Sequence, residues 1–213
     1  MPDEINVEVA AVPHAVPPAD GIADPGPLGL AGFAMTTFVL SCFNSKVINN
    51  VGLEGVVLPL ALFYGGTVQL LAGMWEFRKG NTFGALAFSS FGAFWLAFFY
   101  YVKYVAATLT PAGDIHEATG LFLLAWAIFT AYMLVASLRT TMAIVAVFAA
   151  LTVTFIFLAL GAFDHSTAPV NGITQIGGWL GLLTALFAWY ASFAGVTNAT
   201  FKKVVLPVGP LAR

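Results

Sequence analysis

Polar side chains are rare in the long apolar stretches of this sequence, so those that do occur there bear first on chemistry. Gln69, Gly73 and Glu76 stand at i, i+4 and i+7 and so share one face of a helix. An amide and a carboxylate along one stripe can line a polar path for a small solute. The competing reading is a hydrogen bond from Gln69 to a neighbouring helix. Glu76 is the only acidic residue inside an apolar stretch, and an ionisable group there is a functional candidate by default. Arg78 and Lys79 follow it directly, which favours an ion pair at the membrane surface. Just upstream, Tyr64-Gly65-Gly66-Thr67 places two glycines in mid-stretch, loosening the helix and inviting another backbone to approach.

Other chemistries lack their residues. The sequence holds no Ser-His-Asp set, HExxH or CxxC pattern, and His116 and His165 read as loop residues. An enzyme is therefore disfavoured, and no cofactor or metal is implied. No ionisable side chain falls near the middle of an apolar stretch, so a central proton relay has nothing to be built from. Cys42 is the single cysteine and reads as a small packing residue. A net charge of −2 gives no reason to expect nucleic acid as a partner.

The elements that must position these residues follow from composition. Of 213 residues, 60% are hydrophobic and 8% charged, too few polar groups to cover a soluble domain. The apolar residues come in blocks of about 20, the length of helix that crosses a bilayer core. Such blocks must be helical, because the bilayer offers no water to unpaired backbone groups. The fold class is an all-α integral membrane protein with spans at 28–47, 56–77, 83–105, 118–137, 141–163 and 173–196. Breaks fall at Arg78-Lys79-Gly80-Asn81, Pro111-Ala112-Gly113-Asp114, Leu138-Arg139-Thr140 and the stretch from Asp164 to Gly172.

Residues 1–27 are acidic and proline-rich without Lys or Arg and read as a disordered cytoplasmic tail. The transmembrane domain then covers 28–197, and 198–213 reads as a cytoplasmic C-terminal tail. Six spans put both termini on one side. Arg78, Lys79, Arg139, Lys202, Lys203 and Arg213 gather there, against Lys46 and Lys103 opposite. Basic residues stay inside, which predicts cytoplasmic termini. Trp75, Tyr100, Tyr101, Tyr104 and Trp179 fall at span edges, where amphipathic rings favour headgroups. Gly177 and Gly181 form a GxxxG pair suited to helix packing. Phe91-Gly92-Ala93-Phe94-Trp95 faintly echoes Leu186-Phe187-Ala188-Trp189-Tyr190, as an inverted repeat of three helices would.

The first span is preceded by Asp24-Pro25-Gly26-Pro27-Leu28-Gly29-Leu30. Asp24 suits an N-cap and Pro25 the first helical position. The free N–H groups of that turn also form a candidate anion site.

This stretch resembles the Asn-Pro-Ala-Pro-Leu-Gly-Leu motif of the acetate uptake transporters, or succinate–acetate permeases, with Asp24 for the Asn and Gly26 for the Ala. The resemblance continues through Gly32 to Thr37, Phe63-Tyr64-Gly65-Gly66, Gln69 to Glu76, Lys79 to Gly84 and Gly92-Ala93-Phe94-Trp95. It returns at Gly178-Trp179 and at Val205-Leu206-Pro207-Val208-Gly209. It implies a six-helix bundle around a pore in each protomer, similar to proton-gated urea channels, assembled as a homo-hexamer in the inner membrane. It also implies acetate, and in some members succinate, as substrate. The family's apolar constriction maps onto Phe33, Phe91 and Leu151, with Phe91 standing where Tyr is common. Asp24, Thr36, Thr37, Tyr64, Gln69 and Glu76 complete the expected substrate path. A channel for a neutral solute such as urea is the alternative.

Overall fold

The computed structural model describes residues 21–109, 114–165, 168 and 170–211. Most of the expected N-terminal tail, the Pro111-Ala112-Gly113 turn and Arg213 lie outside them. Six helices are long and apolar enough to cross a membrane: α1 Gly26–Asn44, α2 Glu54–Lys79, α3 Thr82–Thr108, α4 Ile115–Ser137, α5 Met142–Phe163 and α6 Gly172–Phe201. No named strand occurs among the described residues. All six spans expected from the sequence are present.

Short polar side chains define the helix ends. Asp24 Oδ1 accepts from the Gly26 N–H at 2.9 Å, so it caps α1 although the helix begins one residue later than expected. Gly80 closes α2 at φ +78°, a left-handed conformation that glycine adopts without steric cost. Asn81 then caps α3 through the Gly84 N–H. Asn171 joins two helices: its Oδ1 accepts from the Thr174 N–H at the start of α6, and its Nδ2 donates to the Gly161 carbonyl near the end of α5.

The middle of α2 departs from α geometry, with a π-helical turn over Phe63–Val68. The adjacent glycines permit this and admit two neighbours. A Cβ on Gly65 would lie 2.5 Å from Thr36 Oγ1 on α1 and 2.9 Å from the Trp95 ring on α3. The three helices therefore cross at close range, as the glycine pair suggested. The GxxxG reading also holds, since Gly178 and Gly181 face Ser45 and Ser41 at the end of α1, while Gly177 faces Leu158 of α5.

Large rings fill the bundle centre. Phe33, Phe91, Phe94, Trp95, Phe148, Leu151 and Phe155 are all buried. The outer surface is apolar, with Phe63, Leu121, Ile128, Val135 and Phe193 exposed, as lipid or a neighbouring membrane subunit requires. Trp75, Tyr100, Tyr104 and Trp179 are exposed near helix ends, which suits headgroup anchoring. The faint repeat does not extend to environment: Phe91, Phe94 and Trp95 are core, whereas Leu186 and Tyr190 face outwards.

Both ends of the described chain lie on one face of the bundle, where Ser192 Oγ donates to the Pro27 carbonyl at 2.6 Å. The stretch read as a C-terminal tail is docked. Helix α6 runs on to Phe201, and Asn198 Oδ1 then accepts from the N–H groups of Val205 and Leu206. Beyond this turn, the N–H groups of Met142 and Ala143 donate to Gly209 and Val208, tying the segment across the start of α5.

Candidate functional site

Two cavities enter the bundle from opposite ends. The first opens on the face that carries the termini, has a volume of about 340 Å³, and is lined by residues near the starts of α1, α3 and α5 and the ends of α2 and α6. Asp24, Gln69, Glu76, Lys79, Asn81 and Asn198 are its polar lining. The second, about 430 Å³, opens on the other face and carries Asn44, Glu54, Tyr101, His116, Thr119 and Asn171.

Both cavities end on one apolar layer. Phe33, Phe91 and Leu151 line the first and Phe94 and Phe155 the second. Phe91 is the hub, with ring centroids 5.7 Å from Phe33, 6.1 Å from Phe148 and 6.5 Å from a parallel Phe155. Phe94 meets Phe155 edge-on at 5.4 Å, and Trp126 from α4 closes on both Phe91 and Phe94. The arrangement is a path along the bundle axis, interrupted once by packed rings. Such a layer excludes water and strips an ion of hydration without replacing it.

Six of the nine residues expected from the sequence line the first cavity: Asp24, Phe33, Gln69, Glu76, Phe91 and Leu151. The other three line neither cavity. Thr36 is fully buried and donates to the Gly32 carbonyl at 2.9 Å, so it holds the α1–α2 contact. Thr37 is buried in the same region, and Tyr64 presents its carbonyl to Gly32. Their place in the resembling motif reflects helix packing at the π-helical turn.

Glu76 differs from its expected surface pairing. It is 1% exposed, and its Oε2 accepts from Asn81 Nδ2 at 2.8 Å, while Lys79 Nζ stands at 4.0 Å. The Gly80 turn brings Asn81 back over the helix end, and this draws the carboxylate inwards. Gln69 is equally buried, and its Oε1 has no hydrogen-bond partner. The interhelical bond proposed for it is therefore absent among the described residues.

Sequence reasoning missed Lys79, Asn81 and Asn198 on this side. It also missed the opposite cavity. Glu54 begins α2, so Glu76 is not the only carboxylate on a spanning helix. His116 belongs to the first turn of α4 rather than to a loop, with Nδ1 3.2 Å from the Ala162 carbonyl. The Lys79-Gly80-Asn81 run held the available signal, since Asn after a helix-ending Gly is a cap.

Asn81 carries two roles that one substitution separates from transport. Asn81→Ala removes the α3 cap, at about 1 kcal/mol, and leaves a buried carboxylate without its donor, at about 1–3 kcal/mol. A clear fall in melting temperature of the purified protein is expected. An unchanged value would mean that neither bond contributes to stability.

A model of the GPR1/FUN34/yaaH family matches residues 7–213. The chain belongs to that family. Among its GPR1/FUN34/yaaH relatives, the succinate-acetate/proton symporter SatP of Escherichia coli K12 is 38% identical over 193 residues, covering 88% of this chain and 96% of SatP. Acetate permease A of Emericella nidulans is 41% identical over 203 residues, which are 87% of this chain. The match spans only 65% of that fungal permease's length. The solved structure of the bacterial acetate channel SatP superposes with a TM-score of 0.79 at 37% identity, covering 88% of this chain and 99% of that one. The six-helix bundle described above is thus the fold of a known GPR1/FUN34/yaaH channel.

Proposed function

We propose that this protein passes acetate and related small carboxylates, succinate included, across the cell's inner membrane, through one pore in each subunit of a homo-hexamer. The observation that carries this reading is the pair of polar-lined cavities meeting end to end on one apolar layer. Relatives described as an acetate permease and as a succinate-acetate transporter favour the carboxylate over urea. Lys79 in the cavity lining adds a charge that suits an anion and that a neutral solute does not require.

The same geometry bears on proton movement. Glu76 and Glu54 lie at opposite ends of α2 and in different cavities, so neither can carry a proton through the rings between them. The neutral acid loses far less hydration there than its anion does. Any proton crossing the layer therefore travels on the substrate, and flux rises as external pH falls towards the acid's own pKa.

Purified protein in vesicles should take up labelled acetate in preference to labelled urea, faster with an imposed inward proton gradient. Urea flux exceeding acetate flux would overturn the proposal. Arg78, Lys79, Arg139, Lys202 and Lys203 on one side, against Lys46 and Lys103 on the other, support cytoplasmic termini. A reporter fused after Lys203 should be accessible only from the cytoplasm, and one near Ala168 only from outside.

A further inference from the structure

The mouth of the first cavity holds two carboxylates and one ammonium. Lys79 Nζ lies 2.8 Å from Asp24 Oδ1 and 4.0 Å from Glu76 Oε2. The two acids are held differently. Glu76 is 1% exposed and fixed by Asn81. The Asp24 side chain is 52% exposed, precedes the first residue of α1, and keeps one further bond, from the Gly26 N–H. Lys79 is itself part-exposed and is the only Lys or Arg among the residues lining the cavity.

We propose that Lys79 recognises the substrate carboxylate at this mouth and that Asp24 is its resident competitor, displaced as substrate enters. The inference rests on the carboxylate reading above and adds the group that selects for it. An ammonium facing two carboxylates leaves the mouth with one excess negative charge, which repels an incoming anion. Exchange avoids a bare cation: a carboxylate takes the place of Asp24 on Lys79, while Asp24 turns to solvent and remains tethered at the helix start. A pair this exposed is weakly held, so exchange is fast enough not to trap the substrate.

Asp24→Asn preserves the acceptor for the Gly26 N–H and removes the competing charge. It should lower the KM for acetate roughly three- to fivefold, the range corresponding to an exposed ion pair. Lys79→Gln should raise KM by a similar factor. The double variant decides the mechanism, because residues acting on one exchange are not additive. Once Lys79 is Gln, adding Asp24→Asn should give no further improvement.

Initial rates in vesicles of verified orientation, with melting temperatures measured alongside, test this. A fall in KM from Asp24→Asn that persists with Lys79→Gln would mean that Asp24 acts through space alone, and would overturn the exchange. Lower melting temperatures with unchanged KM in both single variants would reduce the pair to a helix tether and would also overturn it. Wild-type vesicles that pass no acetate would end the carboxylate reading itself. Wild-type vesicles that do, with KM indifferent to both residues, would end only the exchange.

Discussion

Leu151→Ala should raise acetate flux roughly tenfold, equivalent to lowering the barrier by about 1.4 kcal/mol, and should raise succinate flux by more. Leu151 is 3% exposed and sits in the ring layer beside Phe33 and Phe91 on the floor of the first cavity. Removing its branched end widens the one place where the path is closed. It also admits water, and partial hydration lowers the cost of passing a charge. Succinate gains most because a longer acid is held back by width as well as by desolvation. The substitution costs stability as well, by about 2–5 kcal/mol for a buried Leu→Ala change. Rates must therefore be expressed per folded protein. If Leu151 only packs helices, expression and melting temperature fall while the succinate-to-acetate ratio stays constant. A rise in that ratio marks the constriction.

Gln69→Leu should have the opposite sign on the two observables. The Gln69 amide is buried on α2, lines the first cavity and leaves its Oε1 without a partner. An orphaned buried polar group is destabilising by about 1–3 kcal/mol, so a leucine of similar size should leave the melting temperature equal or higher. Flux should fall about tenfold if the amide donates to the carboxylate before it enters the rings, since that one bond corresponds to about 1.4 kcal/mol of barrier. A stability gain with a transport loss is what a residue kept for its ligand produces. Loss of stability with unchanged flux would return Gln69 to helix packing.

The spanning helices and their ends were legible because they depend on local chemistry. Blocks of about 20 apolar residues must be helices in a bilayer, and Asp24, Gly80 and Asn81 mark ends within a few residues of themselves. The Gln69–Gly73–Glu76 face was legible for the same reason, as spacing along one helix. Contacts between distant segments were not. Glu76 beside Arg78 and Lys79 looks like a surface ion pair, and only the reversal of the chain at Gly80 shows that Asn81 reaches it first. Thr36 and Tyr64 carry hydroxyls that suit a pore, yet a glycine-permitted crossing of α1 and α2 turns them into packing groups. The docking of residues 205–211 depends on one side chain, Asn198, bonding backbone seven and eight residues later. The second cavity draws on every helix, and no single stretch of sequence announces it.

The π-helical turn over Phe63–Val68 has a consequence for reading α2 as a pattern. Such a turn amounts to one residue inserted into an otherwise regular helix, and one residue is about 100° of rotation. A helical wheel drawn straight through α2 is therefore out of phase between its two halves. The apolar residues of Val57–Leu62 say nothing reliable about which way Gln69 or Glu76 points. The turn works as a phase adjuster, letting the first half satisfy its lipid-facing and helix-facing positions while the second half aims its polar stripe at the cavity. A one-residue deletion among Phe63–Val68 would keep every side chain and every span, yet swing that stripe about a quarter-turn out of the path. Length at this point, more than composition, holds the polar face in register with the pore.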